Sequence, residues 1–195
     1  MTHTSVTHTY SKSQLIDQLR QIQQDISATV QAMPLDHFNR EGADGTWSAS
    51  GYLKHLILSV KPLAKGLKLG SEGVMRLSGT PDHPSRTYPD LVAVYQAGIA
   101  AGVRAELSPS VVPVNYRLPE GIEAGSAAEQ TYLIETWNEA NDRLIAALEG
   151  WEDAQFDTHQ LPHPAIGLLT VREILYFTVH HNTLHGNDIR QTQNT

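Results

Sequence analysis

The sequence predicts an all-α protein, a helical bundle with crossover connections and short extra helical turns. Three observations carry that prediction: apolar residues recur every three or four positions in five segments, capping and breaking residues bound those segments, and two irregular connections approach 20 residues each. Connections of that length suit a bundle with crossovers better than a plain up-and-down arrangement. At 195 residues the chain, 1–195, suits one domain with ample core.

Residues 1–10 form a polar leader without the apolar stretch of a secretory signal. It is expected to be flexible, with His3 and His8 exposed. The first helix runs from Lys12 to Met33, its stripe made by Leu15, Leu19, Ile22, Ile26 and Val30. Pro34 ends it, because the residue before a proline avoids helical geometry. A polar loop spans His37 to Thr46. The second helix opens at Trp47 and Ser48, where the serine can cap free N–H groups, and carries Leu53, Leu56, Ile57 and Val60. Pro62 is expected to kink or end it, with a continuation to Leu69 as the alternative.

Residues 70–88 hold glycines, prolines and serines and read as a crossover loop. Pro89 opens a third helix through Leu107, weakened by Gly98 and Gly102. Residues 108–125 form the second irregular connection, with a short extended stretch at Val111–Tyr116. Ser126 and Glu129 have capping-box spacing, and a fourth helix follows with Leu133, Trp137, Leu144 and Leu148 on one side, ending at Gly150. A turn at Trp151–Phe156 and a loop over residues 159–167 lead to the fifth helix, from Thr170 with Glu173 as a second capping box to Gln191.

The net charge of -7 and the lack of any Lys/Arg run argue against a nucleic-acid partner. No stretch approaches the roughly 18 apolar residues of a membrane span. An acidic chain without basic patches reads as a cytoplasmic protein. Cysteine is absent, which removes disulfides, thiolate ligands and a cysteine nucleophile. A metal must then be held by nitrogen and oxygen, and any thiol must arrive as a small cosubstrate.

The fifth helix carries the chemistry. His181 and His185 are one turn apart and share a face with Ile174 and Thr178, while His180 is rotated about 100° away. Two imidazoles on adjacent turns fit a transition metal. The spacing alone is weak, since ten histidines in this chain give on the order of 0.5 such pairs by chance. His55 supplies context. It sits in the apolar run GYLKHLILSV, where it reads either as a hydrogen-bonded core histidine or as a third ligand. Neighbouring helix axes lie about 8–10 Å apart, so one ion between them could satisfy all three rings. His37, His83 and His159 read as solvated loop residues, His163 as a structural turn residue that could rim a pocket, and Trp47 as a core anchor.

TWSASGYLKHL, a Trp-Ser pair followed after six residues by His-Leu, resembles the DinB/YfiT-type pattern. HPAIGLLTVREILYFTVHHNTLHGNDI is similar to the closing segment of that family. The likeness covers most of the chain, with specific motifs around residues 46–57 and 161–189. It implies a four-helix bundle and assigns one divalent metal, with zinc, nickel or iron suited, to His55, His181 and His185. Where family members often carry Gln-Ile after the last histidine, this chain has Asp188-Ile189.

Three neutral histidines leave an ion its full charge and an open position, which suits an activated water or a thiolate. Several characterised members of the family look like metal-dependent transferases or isomerases that use low-molecular-weight thiols such as bacillithiol, mycothiol or glutathione, and others have no assigned reaction. The resemblance therefore implies a metal-dependent thiol transferase acting on a small molecule, in detoxification or stress response, and a homodimer is compatible with it. A metal-dependent hydrolase and a non-enzymatic metal-binding or interaction bundle are the alternatives. Asp188 and Glu173 are the candidates for a general base.

Overall fold

Ser11 opens the first helix, α1 (Lys12–Gln31): its hydroxyl accepts from Gln14 N–H while the Gln14 side chain accepts from Ser11 N–H, a closed capping box. The computed structural model describes residues 9–42, 45–102 and 108–192. Leu15, Leu19, Ile26 and Val30 of α1 are buried and Ile22 is partly so, as the apolar stripe requires. Tyr10, counted with the leader, is anchored: its N–H donates to Tyr176 Oη and its carbonyl accepts from Arg172. His3 and His8 lie outside the described residues.

A short helix, α2 (Leu35–Asn39), stands where a loop was expected, holding Phe38 in the core. In α3 (Ala49–Leu67), Ser48 caps by accepting from Gly51 N–H. Pro62 does not end this helix. Its missing N–H leaves the bond to the Leu58 carbonyl unmade, but Val60, Ala64 and Leu67 are buried on either side and the helix continues to Leu67. Residues 70–88 are likewise not all loop. Gly70–Ser78 form α4, which buries Val74 and packs beside the hairpin described below. Its glycines and single buried apolar residue hid it from periodicity.

Thr87 caps α5 (Tyr88–Ala100), with Pro89 in its first turn. The helix stops at Ala100 and not at Leu107; residues 103–107 lie outside the described part. The extended stretch expected at Val111–Tyr116 is a 3-10 turn at Pro113–Asn115. Ser126 caps α6 (Ala127–Glu149) by accepting from Glu129 N–H, but the box does not close, because the Glu129 carboxylate accepts from Gly125 N–H and pairs with Lys54. The short α7 (Gln155–Thr158) then leads into two strands, β1 (Gln160–His163) and β2 (Gly167–Thr170), paired antiparallel with His163 opposite Gly167. This small hairpin replaces the predicted loop. Gly167 closes its three-residue turn at φ +84°, a region only glycine enters freely. Thr170 and Glu173 close a capping box at the start of α8 (Val171–Gln191).

Four long helices make the bundle. α3 packs on α6, α6 on α1, α1 on α8 and α8 on α3, so α1 faces α3 and α6 faces α8 across the ring. Two of the three connections thus cross the bundle diagonally. Large side chains fill the middle, among them Trp137, Trp151, Tyr176 and Phe156. Both buried indoles are satisfied: Trp137 Nε1 donates to Gln23 O and Trp151 Nε1 to Leu67 O. α5 covers the outer side of α8. Among the described residues, no helix is long and apolar enough to cross a membrane.

Candidate metal centre

The contact between α3 and α8 brings the three predicted histidines together. One ring nitrogen from each of His55, His181 and His185 lies within 4.8 Å of the others. His55 and His181 are almost fully buried, and the His185 side chain is 15% exposed. His55 Nε2 lies 2.9 Å from His181 Nε2.

Hydrogen bonds behind the rings fix which nitrogens face inward. His55 Nδ1 donates to the Val111 carbonyl at 2.8 Å, since a carbonyl can only accept. His185 Nδ1 donates in the same way to Asp188 Oδ2 at 2.8 Å. With Nδ1 carrying the proton, each ring can turn Nε2 inward as a lone-pair donor, the tautomer that a metal ligand needs, and that of His55 meets His181 Nε2. His181 has no such support: its Nδ1 is buried without a hydrogen-bond partner. Burial, then the neighbouring His185 and His55, hold the His181 imidazole well below its ordinary pKa, which keeps it neutral. Three imidazoles converging through one ring nitrogen each, one of them with its other nitrogen buried and unpaired, fit a divalent cation.

Aromatic rings box the triad. Trp47 lies 5.0 Å from the His55 ring, Tyr52 lies 5.3 Å from the His185 ring, and Phe177 stacks on His181 at 5.0 Å. Trp47 is thus a wall of the site and not a core anchor. Tyr52 and Phe177 were not singled out from the sequence, although each precedes a site histidine by one turn. That spacing was the available signal.

The histidines open on a cavity of about 830 Å³, lined by α3, α5, α8, the hairpin and the segment near Val111. His163 takes both roles considered for it. Its Nδ1 accepts from Ala165 N–H within the hairpin turn, and its ring lines the cavity 4.2 Å from Phe177. Burial pushes its pKa down to about 4. Asp188 supports His185. Glu173 does not line the cavity; it is fully buried, accepting from Thr170 N–H and from Arg86. His159, expected in solvent, is buried against Trp151 with Nδ1 3.0 Å from the Gln155 carbonyl. His180 packs under Tyr88 and Tyr95 of α5, while His37 and His83 are partly exposed.

A helical bundle with a three-histidine cluster between two of its helices defines the class to which this chain must be compared. The chain belongs to the DinB superfamily, which it matches over residues 18–189. Among solved structures it is similar to YfiT from Bacillus subtilis, described as a probable metal-dependent hydrolase with an unusual four-helix bundle topology. The two share 17% identity at a TM-score of 0.60, covering 94% of this chain and 86% of YfiT. At that identity the likeness speaks for the fold. No curated protein matches the sequence.

Proposed function

We propose that this chain is a metal-dependent enzyme in which His55, His181 and His185 hold one divalent ion that activates a small nucleophile, a thiol or water. The observation that carries this reading is the convergence of three ring nitrogens within 4.8 Å on the wall of a cavity large enough for a small molecule. The ion supplies Lewis acidity, making thiolate or hydroxide available near neutral pH.

The remaining work falls to the chain itself. The Val111 carbonyl and Asp188 orient two of the rings. Trp47, Tyr52 and Phe177 restrict water around the triad, which strengthens electrostatic interactions inside it. Asp188 is engaged with His185, so its first role is positioning; Glu173 holds the start of α8 and has none in proton transfer. The likeness to YfiT supports the hydrolytic form of this reading, and the family resemblance supports the thiol form.

Elemental analysis of the purified protein beside the His181→Ala, His185→Ala double variant tests the centre. About one divalent ion per chain in the parent and none in the variant is expected. A parent that takes up no ion on reconstitution would end the enzyme reading. Turnover of a panel of electrophiles with and without added thiol then separates transferase from hydrolase.

A further inference from the structure

The cavity beside the histidines has a charge pattern that the metal reading does not use. None of the described residues lining it is Asp, Glu, Lys or Arg. Its walls are largely aromatic and aliphatic, with Trp47, Tyr95 and Phe177 beside Leu58, Leu63 and Ile99 in the lining. The rim is apolar as well. Leu77 and Leu184 both line the cavity and are 64% and 39% exposed. Exposed leucines at the mouth of a preformed cavity gain from covering by an apolar ligand.

Desolvation decides what such a cavity accepts. Away from the histidine end, an ionised group carried into it loses its water and meets no charged side chain among the described residues. Polar contacts come instead from neutral groups: Ser59, Thr178, His163, held neutral by burial, and the histidine end. A volume of about 830 Å³ lies within the range that holds a drug-sized molecule.

We infer that the cavity binds an uncharged, mainly apolar molecule of one or two aromatic rings, with its coordinating polar group turned toward His55, His181 and His185. The orientation of that group rests on the metal reading; the selection against charge does not. Glutathione, with two carboxylates and an ammonium, is a poor occupant of this space. The nucleophile is then water or a small thiol that carries no charge beyond its sulfur.

Titration of the metal-free protein with N-phenyl-1-naphthylamine, uncharged and fluorescent in apolar surroundings, tests this directly. One site per chain is expected, with the anionic 8-anilinonaphthalene-1-sulfonate bound on the order of tenfold more weakly. Ser59→Trp fills the cavity and should abolish the site, while Leu77→Lys, at an exposed position that cannot upset the fold, should weaken it about threefold. Equal binding of the two dyes, no binding of the neutral dye, or binding indifferent to both substitutions each overturns the inference. If the neutral dye binds as expected but the protein takes up no divalent ion, the cavity assignment stands and the metal reading alone falls.

Discussion

Two buried polar clusters sit on the same helix, about 14 Å apart along its axis, and they are built on opposite rules. At the start of α8, Arg172 donates to both Asp157 oxygens at 2.7 and 2.9 Å, to Asp153 and to the Tyr10 carbonyl. Glu173 beside it accepts from Thr170 N–H and from the Arg86 backbone and guanidinium, each at 2.9 Å. Nine residues further on, His181 Nδ1 and both polar atoms of Asn182 are buried without a hydrogen-bond partner. Asn182 lies next to His181 but in no ordinary hydrogen-bond geometry with it.

Buried polar groups are expensive when unpaired, so a fold that pairs one cluster fully does not leave the other open by default. The paired cluster is architecture: it ties α7, α8 and the residues before α1 and α5 into one unit. The open cluster is where the structure keeps unspent bonding capacity, and it is where the histidines meet.

Three experiments would break or sharpen that contrast. Replacing Arg172 with Ala should lower stability by about 3 kcal/mol, because Asp157 loses its partner and the Tyr10 carbonyl its donor. The expected fall in Tm is roughly 9 °C, with metal uptake unaltered. A variant as stable as the parent would show that the cluster does not hold the fold. Asn182→Leu should act the other way, raising stability by about 1 kcal/mol by removing two unsatisfied atoms. Chemical denaturation would measure it. A loss of similar size would mean that the amide has a partner in solution, and the contrast would shrink.

The third effect is confined to a pH window. His163 in the fold titrates at about 4, below its ordinary 6.5. As pH falls between those values the unfolded chain takes up a proton that the folded one refuses, so this contribution is present above 6.5 and lost toward 4. Thermal melts of His163→Gln should therefore lose up to roughly 9 °C less than the parent on acidification across that window. Parallel curves would show that His163 is protonated in the folded protein and would remove it from the neutral wall of the cavity.

Much of this architecture was legible in local patterns. The stripe of α1 and the caps at Ser48, Ser126 and Thr170 are set by interactions within a few residues, and they appear where the spacing placed them. The elements that were missed lack a long local signal. The strands Gln160–His163 and Gly167–Thr170 have four residues each and contain Pro162, which is tolerated because each strand of a two-stranded ribbon has a free edge. In α4 the single buried side chain, Val74, is too little for periodicity to register. The burial of His159 depends on Trp151 and so on the packing of the segment before α8.

By itself the sequence determined what the helical repeat controls: which residues share a face, including the one-turn pairing of His181 with His185. Only the tertiary structure decided that His55, 126 residues away from His181, brings its Nε2 to within 2.9 Å of that partner. It also decided that Asp188 rather than Glu173 stands beside the centre, and that Trp47, Tyr52 and Phe177 enclose it. The physical reason is one of range. Hydrogen bonding and side-chain spacing along a helix act over three or four residues, whereas the site is made by packing α3 against α8, and that contact exists only once the whole ring of helices has closed.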